Sequence, residues 1–483
     1  MSQTLNREVD VVVVGGATTG LYFGGLMAGQ GKRVLICDSA SAESLGSTFD
    51  IIHIAQEHFE RFGLKEPVEG DEAYVSHFCR SVQKSAHDNW PKNSYCETLV
   101  LRRVPLVKRI LDWALEQGAE VMLETSFEQA IFDEAGKLCG ALFTQGNGDR
   151  LAVKSRLVAD ASGIPAVVRT ALPDGYGMEN FVCTPRDQFY VILHYARLAD
   201  PERDHIDTTT TWTHYKIWLA PQHGSNGAIM GVGANLCFDY AERVYQRFLT
   251  KGFMPAHTLE YIEQGSTPYC RIPYSLVADG FVALGSAACI SNPWSGEGVP
   301  YSWLECMIAA KICKQAMAKG AYPSQESLWQ INALYHREQG ALFAKNLAML
   351  SGATACTENE NDYEYQKGII YENHDENGNS TERGTMIAKL IKGLLRGKIS
   401  LGTLGRLMAA SSIGGKIEKH YLNYPITPLQ LDEWITQADA LWAKAGSMAD
   451  VAEADLAAML SEADLAAMLA EESANPSGKA EEG

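Results

Sequence analysis

The sequence has little of several features that would place it in other classes of protein. It carries 41 lysines and arginines against 59 aspartates and glutamates, a formal net charge of −18. Binding to nucleic acid needs clustered cations that neutralise phosphates, so this balance argues against such a partner. Apolar runs of the ~20 residues that cross a bilayer as a helix are also missing. The polar N-terminus shows no signal-peptide pattern, which predicts a cytoplasmic protein.

The eleven cysteines include no Cys-x-x-Cys pair. Their odd number and scattered spacing predict free thiols in a reducing cytoplasm, with no disulfide framework and no cysteine-built metal site. A chain of 483 residues with an ordinary globular composition has enough apolar residues for two or three domains.

The clearest pattern lies near the N-terminus, where an apolar run meets a glycine turn. Residues 11–14 are four valines, a run too short for a helix, and they predict a buried parallel strand. Gly15 and Gly16 end that strand, and a helix is predicted to follow. Backbone N–H groups and the positive end of the helix dipole meet at such a turn, which favours a pyrophosphate. A second strand, 34–37, ends in Asp38, an acid at the distance that suits the ribose hydroxyls of an adenosine.

The glycine turn departs from the usual G-x-G-x-x-G pattern at one position. Gly15 and Gly20 stand where the motif has its first and third glycines, but Ala17 replaces the second. That glycine normally lets the backbone approach the phosphates, and we expect one methyl group to be tolerated there. Taken alone, the turn has an alternative interpretation, an ordinary tight connection between a strand and a core helix.

The rest of the chain divides by pattern. Residues 39–91 are mixed and predict a loop followed by short helices. Apolar and aromatic runs after residue 178 predict a β-rich insertion, and periodic apolar residues after Pro323 predict helices. The acidic segment 357–383 is predicted to be a solvated loop or lid. We expect a nucleotide-binding domain over 1–178 and 275–322, a β-rich substrate domain over 179–274, a helical region over 323–446 and a flexible acidic tail over 447–483.

Two further segments strengthen the nucleotide interpretation. Residues 160–169 read DASGIPAVVR, and residues 285–298 read GSAACISNPWSGEG. With the N-terminal motif, they resemble in order and spacing the FAD-dependent oxidoreductases of the p-hydroxybenzoate hydroxylase-like fold, and among these the geranylgeranyl reductase branch. The resemblance covers residues 8–320. It implies an α/β fold in which a Rossmann-like FAD-binding domain carries an inserted β-rich substrate domain, with a helical C-terminal region.

The resemblance also implies which residues hold FAD. The third segment ends where a helix begins, and the N-terminal amides of that helix suit negative charge on a reduced flavin ring. The family has an acid in its G-D-A-A motif, which Ser286 replaces here, so we expect that contact to be weakened. The implied cofactor-binding residues are Gly15, Gly16, Ala17, Thr19, Gly20, Asp38, Arg103, Asp160, Gly163, Gly285, Ser286, Pro293, Gly296, Glu297 and Gly298, with Arg102 as a competitor for the role of Arg103.

The substrate pocket is expected between the flavin and the β-rich domain. The family's Y-x-W-x-F-P motif has an imperfect counterpart in residues 215–221, YKIWLAP. Aromatic side chains suit a polyprenyl or flat polycyclic substrate, and reduction of a C=C bond also needs a proton from a nearby acid. The predicted lining residues are Trp212, Trp218 and Tyr269. The candidate proton donors are His214 and Tyr215, each with packing in the core as its alternative role. His53 follows a candidate active-site loop at 46–48 and is a further candidate catalytic residue, with a packing or surface role as its alternative.

Electrons must reach the flavin from outside, because no second nucleotide motif follows the first. We therefore expect NAD(P)H that docks transiently, or a ferredoxin or flavodoxin, as the donor. Residues 385–420 carry seven lysines and arginines against one glutamate. This basic segment fits an acidic redox protein or an anionic membrane surface, and a solvated helix face or pairing with the acidic tail explains it equally.

The resemblance thus implies an FAD-dependent oxidoreductase. Its expected reaction is the reduction or desaturation of a C–C double bond in a lipophilic, isoprenoid-like or polycyclic substrate, by hydride transfer at flavin N5. A flavin monooxygenase or halogenase on the same fold is the first alternative. A non-catalytic flavin-binding or partner-binding protein is the second. No metal is expected.

Overall fold

The structure, a computed structural model, describes residues 4–200, 208–212, 214–224, 226–252 and 254–460. The strands are β1 (Thr4–Glu8), β2 (Val11–Val14), β3 (Val34–Cys37), β4 (Ile51–Ala55), β5 (Tyr74–Lys84), β6 (Lys92–Arg102), β7 (Glu120–Met122), β8 (Thr125–Phe132), β9 (Leu138–Gln145), β10 (Arg150–Lys154), β11 (Leu157–Asp160), β12 (Gln188–Leu198), β13 (Thr208–Trp212), β14 (Lys216–Pro221), β15 (Gly227–Asn235), β16 (His257–Pro268), β17 (Val277–Ala278) and β18 (Phe281–Ala283). The α-helices are α1 (Thr18–Gly29), α2 (Glu57–Arg61), α3 (Arg103–Glu116), α4 (Phe238–Thr250), α5 (Val299–Ala316), α6 (Gln325–Leu328), α7 (Gln330–Tyr335), α8 (Ala341–Thr354), α9 (Glu358–Lys367), α10 (Met386–Leu395), α11 (Leu401–Leu422), α12 (Leu431–Trp442) and α13 (Met448–Met459).

One sheet has the predicted nucleotide-binding architecture. Its strands are ordered β17-β18-β11-β2-β3-β7, and all except β17 run parallel. β2 and β3 are buried along their whole length, as expected for parallel strands covered on both faces. Helix α1 packs against this sheet and against α3 and α5. The predicted Rossmann-like α/β fold is confirmed, and β1, β10, β9 and β8 form a smaller sheet in that order.

The β-rich sheet is larger than the sequence predicted. It has the order β16-β12-β15-β14-β13-β5-β6-β4, so three of its strands come from residues 51–102 rather than from 179–274. The prediction of short helices over residues 39–91 is wrong except at α2. Side chains along β5 are half-buried almost throughout, so no alternation of apolar and polar residues reveals this strand in the sequence.

The two faces of the β-rich sheet have different neighbours. Ile217 of β14 and Tyr215, which directly precedes the strand, belong to a buried apolar cluster with α4 and α13. The alternate residue Trp218 instead packs in a cluster with Ile51 and Phe78, away from α4. Because successive side chains of a strand point to opposite faces, Lys216 and Trp218 share the second face, which we call the pocket face.

Part of the expected flexible tail is an ordered helix. Ala449, Ala452 and Leu456 of α13 are buried against α4 and the sheet. Burial of this small-residue face stabilises α13, although its sequence reads as a loose repeat. The prediction is therefore wrong for residues 448–459, and residues 461–483 lie outside the described part of the chain.

The region after residue 323 is helical, as predicted. Helices α8 and α11 approach closely, since a Cβ on Gly352 would lie 2.6 Å from the Cβ of Ala410. The acidic segment 357–383 is less solvated than expected, because Thr357 caps α9 and Glu364 is fully buried. Among the described residues, no helix has both the length and the apolar character of a membrane span.

Candidate active site

Three glycine-bearing corners meet at one edge of the nucleotide-binding sheet. Val14 pairs with Asp160, and Asp160 with Ala283, so the three motifs leave adjacent parallel strands at the same end. A Cβ on Gly15 would overlap the carbonyl oxygen of Ala161, and one on Gly285 would lie 2.8 Å from Thr19 Oγ1. The structure thus brings the three motifs, which are far apart in the sequence, to one place.

The start of α1 is open toward this edge. Ala17 is the N-cap residue and supplies no side-chain hydrogen bond, so the first amides of the helix keep free donors. A Cβ on Gly20 would overlap the carbonyl oxygen of Gly15, which explains why the turn keeps a glycine there. Asp38 accepts the Gly16 amide at 2.5 Å and the Ala40 amide at 2.7 Å. Its carboxylate retains lone pairs for further donors such as ribose hydroxyls.

Asp160 acts differently from the direct cofactor contact that the sequence predicted. Its buried carboxylate accepts Ser162 Oγ at 2.6 Å and the amides of Ser162, Val168 and Arg169 at 2.8–3.1 Å. Burial raises the pKa of this carboxyl, and these hydrogen bonds oppose the rise. Asp160 therefore holds the shape of the turn that contains Gly163, whose φ is +83°.

A buried acid that the sequence analysis missed supports the third corner. Glu305 on α5 accepts the Gly285 amide at 2.7 Å, and its second oxygen is buried without a partner. Burial raises its pKa well above the usual range. Ser286, which replaces the family's acid, is half-buried at the same turn. An acid on the apolar face of a helix was the available signal for Glu305.

The loop before α5 presents a second open helix start. Gly298 is the N-cap without a side-chain hydrogen bond, and Gly296 has a φ of +78°. Glu297 is exposed and is linked through its carboxylate to Ser295 Oγ at 2.9 Å. The predicted lining residue Tyr269 donates to the carbonyl of Pro293 at 2.8 Å, so it shapes this loop from behind.

Of the two candidate arginines, Arg103 is the more buried and Arg102 the exposed one. Arg103 Nη1 donates to the Thr48 carbonyl at 2.8 Å, while its Nε is buried without a partner. Burial lowers the pKa of the guanidinium. Arg102 is exposed and pairs with Asp50 at 3.3 Å. The orphaned Arg103 donor, the glycine corners and the two uncapped helix starts together fit a dinucleotide that carries a flavin ring.

On the pocket face of the β-rich sheet, Lys216 contacts the 292–298 loop and lies near Trp218 and His53. Lys216 Nζ donates to the Ser295 carbonyl at 3.0 Å and lies 5.4 Å from the Trp218 ring centre. Burial lowers the pKa of Lys216. His53 has a buried Nε2 without a partner, and burial together with Lys216 lowers its pKa to about 4.

His214 and Tyr215 lie on the other face. His214 Nε2 is 3.2 Å from the carboxylate of Asp455 on α13, and Tyr215 is buried in the α4 cluster. The prediction of either as proton donor does not fit this geometry, because His214 faces α13 and Tyr215 packs in the α4 cluster, on the side opposite Lys216. In the motif quoted above, the tyrosine stands two residues before the tryptophan, a position that Lys216 holds. Trp212 is on β13, and its side chain lies outside the described part of the structure.

Comparison with known proteins agrees with the fold and with FAD as the cofactor. An "FAD binding domain" family model matches residues 8–215. A digeranylgeranylglycerophospholipid reductase of Sulfolobus acidocaldarius is 25% identical over 453 residues, which cover 89% of this chain and 97% of the relative.

Two solved structures show the same fold. A geranylgeranyl bacteriochlorophyll reductase-like protein of Thermoplasma acidophilum has a TM-score of 0.68 at 15% identity, with 86% of this chain and all of that one covered. A myxobacterial chondrochloren halogenase has a TM-score of 0.58 at 15% identity, with 90% and 97% covered.

Fold and site together define a flavoprotein oxidoreductase whose cofactor is FAD. Within that class, the chain is an FAD-dependent enzyme of the geranylgeranyl reductase-like fold.

Proposed function

We propose that this enzyme reduces C–C double bonds in an isoprenoid-like lipid and that Lys216 delivers the proton. The observation that carries the proposal is the contact of Lys216 with the 292–298 loop, beside the Trp218 ring and close enough to His53 for its charge to act on that imidazole. The Sulfolobus relative is named for such a lipid, which supports this substrate class.

Bound FAD supplies a hydride equivalent. The chain's own residues position the substrate and supply the proton. Desolvation lowers the pKa of Lys216, which makes its ammonium a better acid near neutral pH. His53, with a pKa of about 4, is neutral there and adds no competing positive charge. The Trp218 ring offers an apolar surface beside the donor.

A direct test begins with protein purified without added flavin, whose bound cofactor is identified by mass spectrometry. Protein reduced with dithionite is then mixed anaerobically with a digeranylgeranyl glycerophospholipid. The expected result is flavin reoxidation and a lipid mass gain of two hydrogens per reduced bond. Reoxidation that needs oxygen, with an oxygen or halogen atom added to the product, would instead establish the monooxygenase or halogenase alternative.

The electron donor is tested in the same anaerobic assay. NADPH, NADH and a reduced ferredoxin are compared for their rates of flavin bleaching. Because the sequence has one nucleotide motif, we propose transient docking of the donor rather than a built-in nicotinamide domain.

We also propose that α10 and the start of α11 touch the surface of the membrane that holds such a lipid. Ile387, Ile391 and Leu395 follow each other at four-residue spacing on α10 and are 49–81% exposed. Leu401, at the start of α11, is 71% exposed. Exposed lysines and arginines accompany them at Lys392, Arg396 and Lys398.

Vesicle flotation tests this contact. The wild-type protein is expected to float with vesicles that contain anionic lipid and less with neutral ones. Leu395→Asp with Leu401→Asp should abolish flotation, whereas Leu115→Asp, at an exposed leucine on α3, should not. Equal flotation of all variants would reject the proposed surface.

A further inference from the structure

Three cysteines far apart in the sequence come together behind the third corner. Cys183 lies on the segment that enters the β-rich insertion, Cys270 on the segment that leaves it, and Cys289 in the motif that begins at Gly285. Their sulfur atoms all lie within 4.8 Å of one another, and those of Cys183 and Cys289 are 3.7 Å apart. Cys183 and Cys289 are buried, and Cys270 is partly buried.

From this geometry we propose that Cys183, Cys270 and Cys289 bind a thiophilic d10 metal ion, Zn²⁺ or Cu⁺. Zinc–thiolate bonds of ~2.3 Å in a tetrahedral site place the sulfurs ~3.8 Å apart, close to the separation of Cys183 and Cys289. A disulfide needs sulfurs at ~2.05 Å and uses only two of the three. Thiolates are the ligands that select these ions.

A buried arginine provides the second observation. Arg169 is fully buried and donates to neutral carbonyls: Nε to Ala287 at 2.8 Å, and Nη1 to Phe181 at 2.8 Å and Glu179 at 3.0 Å. Its Nη2 is buried without a partner.

These contacts fix the guanidinium beside the cluster, because Phe181 and Ala287 stand two residues from Cys183 and Cys289. None of its side-chain hydrogen bonds in the described part of the chain goes to a carboxylate. A buried cation is costly without a counter-charge, and three thiolates around Zn²⁺ carry a net charge of −1. The metal–thiolate group would therefore balance Arg169.

The surroundings of the three cysteines indicate what a bound ion would do for the protein. Cys270 lines a small pocket together with Ser291, Pro293 and Gly340, so one of the three cysteines borders a cavity. The ion would tie both chain crossings between the sheets to the corner that holds Gly285. Its removal is expected to lower the melting temperature and loosen flavin retention.

The test uses the full-length flavoprotein purified under reducing conditions. Elemental analysis should find about one equivalent of zinc or copper and tells the two ions apart. After chelation, Cd²⁺ titration should produce a thiolate-to-cadmium charge-transfer band that saturates at about one equivalent. Cys270→Ser should remove the band, and Cys79→Ser, at an exposed cysteine, should not. Far-ultraviolet circular dichroism, which does not depend on flavin content, reports whether each variant is folded.

Alkylation of the wild-type protein makes the result independent of variants. Cd²⁺ should protect the peptides containing Cys183, Cys270 and Cys289 from iodoacetamide, as read by mass spectrometry. Unprotected cysteines, or a Cys183–Cys289 disulfide in the reduced preparation, would overturn the proposal. These readouts use no substrate, so they stand or fall separately from the proposed reductase activity.

Discussion

The cofactor corner and the pocket face, although neighbours, are built in opposite ways. The corner depends on backbone: Gly15 meets the Ala161 carbonyl, and the helix starts at Ala17 and Gly298 lack side-chain caps. The pocket face depends on side chains, with Lys216 from β14 close enough to His53 from β4 for its charge to lower the pKa of that imidazole.

This difference predicts how each region responds to substitution. Backbone packing in the cofactor corner leaves no room for an added atom, so we expect a side chain added at these glycines to abolish FAD binding rather than weaken it slightly. Side chains on the pocket face can be exchanged while the sheet persists, so activity there should change without loss of the flavin.

The largest effect is expected for Gly15→Ala. The new Cβ would overlap the Ala161 carbonyl, and the φ of +104° is one that residues with a side chain rarely adopt. We expect FAD affinity, measured by fluorescence titration, to fall by about 100-fold or more. Gly415→Ala on α11, where a Cβ meets open space, is the control and should retain flavin. A yellow, fully loaded Gly15→Ala protein would contradict the backbone account.

The next effect is expected for Lys216→Met. Loss of the proton donor should reduce kcat by about 100-fold while flavin content stays unchanged. Tyr215→Phe, the neighbour on the α4 face, should stay within about twofold of wild type. A larger loss for Tyr215→Phe would reverse the assignment of the two faces.

The pH dependence of kcat sharpens the same assignment. Only the protonated ammonium donates, so the rate should fall as pH rises through the pKa of Lys216. Since burial lowers that pKa, the fall should begin below the usual range for lysine. In Lys216→Arg it should move to higher pH, because guanidinium stays protonated.

A smaller effect is expected for Asp160→Asn. The carboxylate now accepts hydrogen bonds from the backbone N–H groups of Val168 and Arg169. The asparagine amide would turn its own N–H groups toward these donors, at a cost of about 2 kcal/mol in stability. FAD affinity should drop by about tenfold, because the turn that carries Ala161 relaxes. Ser162→Ala removes one of these hydrogen bonds and should cost about 1 kcal/mol. Equal melting temperatures for wild type and Asp160→Asn would show that the carboxylate is not needed.

The smallest effect concerns Glu364, in the helical region. Burial raises its pKa from 4.5 to about 8, so the folded state holds a proton that the unfolded chain has lost at neutral pH. The free energy of unfolding should therefore fall as pH rises from 4.5 to about 8, by about 1 kcal/mol between pH 6 and 7. Glu364→Gln should flatten this slope in thermal melts. Glu376→Gln, at an exposed position, should leave it unchanged.

More of the cofactor corner than of the pocket face could be predicted from the sequence. The residue type and spacing of the glycines at 15, 20 and 285 predict tight turns. These turns lie close together because the parallel strands before them end at the same edge of the sheet. Lys216 was overlooked in favour of its neighbours, because an imperfect motif left the register of β14 open by one residue. A shift of one residue exchanges the two faces of a strand.

By itself, the sequence determined the parallel sheet, its glycine corners and the class of cofactor, because each rests on a local pattern of apolar runs and turns. Only the tertiary structure decided which face of β14 meets the 292–298 loop and that β4, β5 and β6 join the β-rich sheet. It also decided that Cys183, Cys270 and Cys289, whose spacing in the sequence follows no motif, lie together. Such contacts join segments that are distant in the sequence, such as Lys216 and Ser295, 79 residues apart, and no local periodicity encodes them.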